Sequence, residues 1–268
     1  MNTEIRTWQQ PISADAGTRT DMAIARMNLD RSDTEAPGAP HKVPISVVIP
    51  VYNEVRTIGQ VIERVLGCGF DTQVIVVDDA SNDGTREFLQ SYRHPRVKTL
   101  FHDKNCGKGA ALRLGFSVAT NPYVLVQDAD LEYDPGDYPL MLRPLLDGRA
   151  DAVYGSRFLG GPHRVLFFWH YVANRFITLV SNIVTGLNLS DMETGQKAFV
   201  RAKLAQLRLS ANRFTFEPEI TAKAARARWR IYEVPVSYSG RTYAEGKKIR
   251  MRDAITAIGA IVYYGLLG

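Results

Sequence analysis

Four short apolar runs, each leading into a cluster of polar residues, restrict this chain to one class of fold. They are Ile45-Ser46-Val47-Val48-Ile49 before Pro50-Val51-Tyr52-Asn53-Glu54, Val74-Ile75-Val76-Val77 before Asp78-Asp79, Tyr123-Val124-Leu125-Val126 before Asp128-Ala129-Asp130, and Ala152-Val153-Tyr154 before Gly155-Ser156-Arg157. Runs this short, bounded by turn residues, read as buried strands. Helices are expected between them, one capped by Ser81 or Asn82 and one over residues 110–119. Strands alternating with helices give an α/β fold, an open and mainly parallel sheet with helices on its faces. Ligands bind such sheets beyond the carboxyl ends of the strands, where all four polar clusters fall. The 268 residues suffice for one large domain with a sizeable core.

The polar clusters carry chemistry. Asp128 and Asp130, one residue apart at a strand's exit, can jointly hold a hard divalent cation, and Glu132 adds a further oxygen ligand at the same spacing. Mg²⁺ is usually bound by one or two carboxylates together with substrate phosphates, which points to a nucleoside diphosphate. Asn105-Cys106-Gly107-Lys108-Gly109 opens a helix, with two glycines that permit close backbone approach and a lysine able to reach a phosphate or ribose oxygen. It lacks the G-x-x-x-x-G-K-[ST] spacing, which argues against ATP or GTP hydrolysis. The planar fork of Arg157 suits bidentate contact with a phosphate.

Taken in order, Pro50-Val51-Tyr52-Asn53-Glu54, Val77-Asp78-Asp79, Gly107-Lys108-Gly109, Asp128-Ala129-Asp130-Leu131-Glu132, Gly155-Ser156-Arg157-Phe158, Asp191-Met192-Glu193-Thr194-Gly195, Phe216-Glu217-Pro218-Glu219, Val234-Pro235-Val236, Arg241 and Gly246-Lys247-Lys248 resemble the family-two glycosyltransferases. Those are inverting enzymes with the GT-A (Rossmann-like) fold, and the likeness is greatest to the polyprenyl-phosphate (dolichol-phosphate) mannosyl- and glucosyltransferases. It covers roughly residues 44–252. The resemblance implies metal-dependent transfer of a hexose from a GDP- or UDP-hexose to a polyprenyl phosphate. Mg²⁺ or Mn²⁺ would sit on Asp130 and Glu132, with Asp128 nearer the nucleotide. Pro50, Tyr52 and Glu54 would line the nucleoside pocket, and Asp79 would hydrogen-bond the base. Lys108, Arg157, Arg175 and Arg241 become phosphate contacts, and Glu219 rather than Glu217 would face the site. Asp191 is the expected general base if the acceptor is a hydroxyl; a phosphate acceptor is already ionised and needs none. A glycosidase pair of acid and base is not implied, since a nucleotide leaving group needs no proton.

Composition bears mainly on location. Between Arg201 and Arg252 stand thirteen Lys or Arg against four Glu, a basic balance that attracts phosphate, nucleic acid or anionic lipid. A nucleic-acid partner would leave the four strand-end motifs unexplained, so none is expected. Two cysteines, Cys68 and Cys106, make no disulfide framework and fit a reducing compartment. Residues 1–42 read as a mobile extension, 43–250 as the GT-A domain and 251–268 as an apolar C-terminal helix suited to an interface. That helix is shorter than the roughly 20 apolar residues needed to span a bilayer. In residues 163–187, Val165, Phe168, Trp169, Val172, Phe176, Leu179, Ile183 and Leu187 recur at helical spacing. This stripe either packs on the sheet or lies in a membrane surface; the resemblance favours the membrane. The expected location is thus cytoplasmic, peripheral on the inner face of a membrane. A soluble hydroxyl acceptor and a catalytically silent nucleotide-sugar-binding subunit are the competing readings.

Overall fold

The computed structural model describes residues 41–165, 167–242 and 251–267. Most of the expected N-terminal extension, together with Gly246, Lys247 and Lys248, lies outside the described residues. The apolar runs form strands β1 (His41–Val51), β2 (Phe70–Asp78), β4 (Tyr123–Val126) and β5 (Ala152–Ser156). Three more complete the sheet: β3 (Val97–Phe101), β6 (Lys197–Val200) and β7 (Ile231–Pro235). Their order is β3-β2-β1-β4-β6-β5-β7. All neighbours pair in parallel except β6, which runs antiparallel between β4 and β5. The expected α/β sheet is therefore present, with one reversed strand.

Alternation along the strands explains why both sheet faces are dry. Ile45, Val47 and Ile49 of β1, Val74 and Val76 of β2, and Leu125 of β4 point to one core. Helices α1 (Ile58–Leu66), α2 (Thr85–Ser91) and α4 (Tyr138–Leu146) cover it with Val61, Leu89 and Met141 among others. Val48, Ile75, Val77, Val124 and Val126 point the other way. That face is covered by α3 (Lys108–Val118), α5 (Phe168–Thr185), α7 (Phe216–Arg226) and α8 (Met251–Val262), with α6 (Arg201–Leu204) a single turn after β6. Strands buried on both faces read as continuous apolar runs, which is what made them legible. The start of α2 differs from expectation: its N-cap is Gly84, not Ser81 or Asn82, and Asp83 before it accepts from the Thr85 amide at 3.0 Å.

Helix α5 is built inside out. Its buried residues are Ile177, Thr178 and Ser181, while Trp169 is 72% and Ile183 73% exposed, with Phe168, Phe176 and Leu179 beside them. Apart from Leu187, which packs against the core of that face, the stripe therefore does not pack on the sheet. Next to it, α8 buries Ala257, Ala260 and Ile261 and leaves Val262 outside, and Tyr263 and Leu266 in the turn that follows it are exposed as well. Among the described residues, no helix is long and apolar enough to cross a membrane.

Candidate active site

The parallel strands deliver their carboxylates to one edge. Beyond β4, Asp128 accepts a 2.8 Å ion pair from Lys108 Nζ, whose second partner is Glu217 at 3.2 Å. Lys108 begins α3 and Glu217 lies in the first turn of α7, so one ammonium joins two helix starts to the strand end. Burial alone would lower the Lys108 pKa, but Asp128 and Glu217 outweigh it and hold the ammonium well above its usual range. Asp128 packs directly on Gly195, where any Cβ would collide with its carboxylate. Leu131, at φ 63°, turns the chain sharply between Asp130 and Glu132.

Arg241 gathers the neighbouring acids. Its two terminal nitrogens meet Glu54 at 3.0 Å each, one of them also meets Asp130 at 3.2 Å, and its amide donates to Glu132 at 2.7 Å. Glu132's other oxygen accepts from the Tyr238 hydroxyl at 2.9 Å. Burial, then Asp128 and Glu132, push the Asp130 carboxyl up to about 7, with Arg241 pulling the other way. Asp130 is thus a carboxylate short of positive charge, and a divalent cation shared with Asp128 would supply it. An all-oxygen pair of this kind fits Mg²⁺ or Mn²⁺. Asp130 and Glu132 each accept at both oxygens here, Asp130 from the Glu132 amide and Arg241, Glu132 from the Arg241 amide and the Tyr238 hydroxyl. Each oxygen keeps a lone pair for a cation. The three carboxylates do not converge on one point; among the described residues the set of ligand atoms that does, within 4.8 Å, is Asp79, His102 and Cys106.

Asp79 is clamped. One oxygen contacts His102 Nδ1 at 2.7 Å and accepts the Cys106 amide at 2.8 Å, and the other accepts the Gly107 amide at 2.7 Å. It ties β2 to the start of α3, a role not foreseen beside the expected contact with a base. Close approach at Gly107 and Gly109 is real, but the approaching backbone is that of residues 211–213, and the Ala110 amide donates to the Asn212 carbonyl at 3.1 Å. Pro50 is buried at the end of β1, and Tyr52 stands exposed after it.

The expected base and the expected phosphate clamp hold each other. Arg157 grips the fully buried Asp191 through Nε and Nη2, both at 2.7 Å, and through its amide at 3.1 Å. The guanidinium lies 5.6 Å from the Phe158 ring centre and 5.2 Å from that of Tyr238. Arg175 contacts the Ser190 carbonyl at 3.2 Å. Glu219 faces away from the site: it accepts from the Ser210 and Ala211 amides, the Ser210 hydroxyl and Lys223, all within 2.8 Å. Glu217 is the member of that pair at the site, because residues two apart on a helix point about 200° apart. Sequence reading also passed over Lys197, whose buried ammonium donates to the carbonyls of Met192 and Thr194, and Glu193 between them. The motif containing Glu193 was visible, whereas Lys197 lies two residues beyond it, and the placement of neither side chain was legible.

Residues 46–208 match the description of glycosyl transferase family 2. This chain belongs to that family. Among curated family-two relatives, glycosyltransferase AglJ of Haloferax volcanii is 32% identical over 199 residues, covering 74% of this chain and 63% of the relative. The undecaprenyl-phosphate mannosyltransferase of Micrococcus luteus is 31% identical over 216 residues, covering 76% of this chain and 86% of the relative. An Aeromonas hydrophila undecaprenyl-phosphate 4-deoxy-4-formamido-L-arabinose transferase is 28% identical, and the chain spans 62% of its length. Among solved structures, glucosyl-3-phosphoglycerate synthase from Mycobacterium tuberculosis in complex with Mn²⁺, UDP and phosphoglyceric acid superposes with a TM-score of 0.66 at 18% identity, covering 98% of this chain and 86% of that one. At that identity the likeness shows the GT-A-type fold alone. The Micrococcus and Aeromonas transferases are named for undecaprenyl phosphate, which agrees with the resemblance drawn from the strand-end motifs.

Proposed function

We propose that this family-two glycosyltransferase moves a hexose from a nucleoside diphosphate sugar to a polyprenyl phosphate at a membrane surface. The observation that carries the acceptor class is the lock between Asp191 and Arg157. A hydroxyl nucleophile needs a base, and the nominated base is enclosed and held by an arginine fork. An acceptor phosphate arrives ionised and needs no base, so the lock is no obstacle. The relatives' names support the same acceptor.

Transfer breaks the bond between the anomeric carbon and the β-phosphate oxygen, and the bonding pair leaves with the nucleoside diphosphate. An acceptor phosphate oxygen forms the new bond from the opposite face. Asp128 and Asp130 would hold Mg²⁺ or Mn²⁺, which would supply charge neutralisation to the leaving diphosphate. Lys108, in contact with Asp128, brings fixed positive charge to the same place. Arg241, holding Glu54, Asp130 and Glu132, fixes the acids around it. In this reading the exposed stripe of α5 lies on the lipid surface that carries the acceptor. The free cysteines suit the cytoplasmic side, with the enzyme peripheral on its inner face.

The test is purified protein with Mg²⁺ or Mn²⁺, a panel of GDP- and UDP-hexoses, and polyprenyl phosphate in detergent, read by product mass. A hexosyl polyprenyl phosphate is expected from at least one donor. Product only on soluble hydroxyl acceptors would overturn the reading.

A further inference from the structure

We infer that Glu193 and Glu217 grip hydroxyl groups of the transferred sugar and so set donor specificity, with Lys197 positioning Glu193. This rests on the donor reading above and names what selects the sugar.

Two carboxylate oxygens in this region, Glu193 Oε1 and Glu217 Oε2, are buried and have no hydrogen-bond partner. A buried acceptor without a donor is costly and seldom tolerated outside functional sites. Here there are two, on different elements. Glu217's other oxygen is on Lys108, the same ammonium that holds Asp128, so this carboxylate stands next to the place expected for the donor's diphosphate. The sugar is bonded to that diphosphate and must lie within a few ångströms of it.

The surrounding groups favour an uncharged ligand rich in hydroxyls. Two ammoniums, Lys108 and Lys197, already accompany the two carboxylates, so a second cation is not called for. Lys108 leaves one of its three donors after serving Asp128 and Glu217. Each sugar hydroxyl donates one hydrogen bond and can accept another, which matches alternating carboxylates and ammoniums. Lys197 completes the arrangement. Its ammonium binds the carbonyls on either side of Glu193 and lies 4.6 Å from the Tyr154 ring centre, fixing the loop that presents the carboxyl. Burial and the nearby Glu217 raise Glu193 to about 8, and burial lowers Lys197 to about 8, as expected of charges packed closely away from water.

The experiment compares the affinity of wild type, Glu193→Gln and Lys197→Met for three probes: the bare nucleoside diphosphate, its hexose conjugate, and hexose conjugates lacking one hydroxyl at a time. For Glu193→Gln, bare diphosphate affinity should stay within about twofold while the hexose conjugate loses tenfold or more. At least one deoxy conjugate should bind wild type and variant equally well, because its missing hydroxyl is the one Glu193 grips. Lys197→Met should show the same pattern in weaker form. If wild type and Glu193→Gln discriminate identically against every deoxy conjugate, the assignment is overturned while the donor reading stands. If Glu193→Gln loses the bare diphosphate as much as the conjugate, Glu193 holds up the fold and the assignment is again overturned; Glu193→Asp, which keeps a carboxyl group there, then checks that result. If wild type binds no nucleotide sugar at all, the donor reading fails and takes this inference with it.

Discussion

Single residues at the strand edge act through contacts that tolerate little change. Gly195→Ala places a methyl group against the Asp128 carboxylate. The protein should fold, but Asp128 must move, and transferase activity should fall at least tenfold in a direct assay. Arg157→Lys keeps a charge yet loses the fork on buried Asp191, so a loss of about 1.5–3 kcal/mol is expected in denaturant unfolding. Unchanged stability would mean the pair is not made in solution. Glu219 has a pH signature. Although burial pushes its carboxyl up, Lys223 and the amides and hydroxyl of residues 210–211 outweigh that and hold it below the usual range. Its contribution to stability is therefore present above the ordinary glutamate pKa and disappears as pH falls through the lower folded value. Glu219→Gln should be less stable than wild type at pH 7, and the two unfolding curves should approach each other as acid is added. The resemblance favoured Glu219 over Glu217, and spacing alone could not correct it because it does not fix the phase of a helix. Asp128 and Lys108 were singled out separately; that they touch depends on how α3 is set against β4.

At the scale of elements, legibility followed burial. β1, β2, β4 and β5 are buried on both faces and announce themselves as apolar runs. β3 carries the exposed Lys98, and β6 has four residues beginning with a lysine, so neither resembles a run. β6 is also the antiparallel strand, and no local pattern encodes a reversal of direction. The stripe of α5 was readable as a stripe, but its direction was not: amphipathic spacing is the same whether the apolar side faces a core or a bilayer. Because these side chains are exposed, replacing Phe168 and Trp169 together with glutamate should leave the thermal midpoint within a few degrees. Flotation with anionic vesicles should drop sharply for that variant. Equal flotation of wild type and variant would remove α5 from the membrane surface.

At the scale of the whole molecule, acids from β1, β4 and their loops meet cations from α3 and from beyond β7 on one edge. Asp130→Ala removes one of the two carboxylates expected to hold the divalent ion. Activity should be lost and no longer respond to added Mg²⁺ or Mn²⁺, while circular dichroism stays native. Full turnover of wild type in excess chelator would remove the ion from the reaction. The contact between Glu54 and Arg241 spans 187 residues of chain. Closing so long a loop is entropically late, whereas β1, β2 and β3 can pair among themselves early. On a ribosome, the sheet's first half can form long before the residue that orders its acidic edge has been synthesised. A nascent chain would thus carry a nearly finished scaffold with an unfinished centre until Arg241 has emerged.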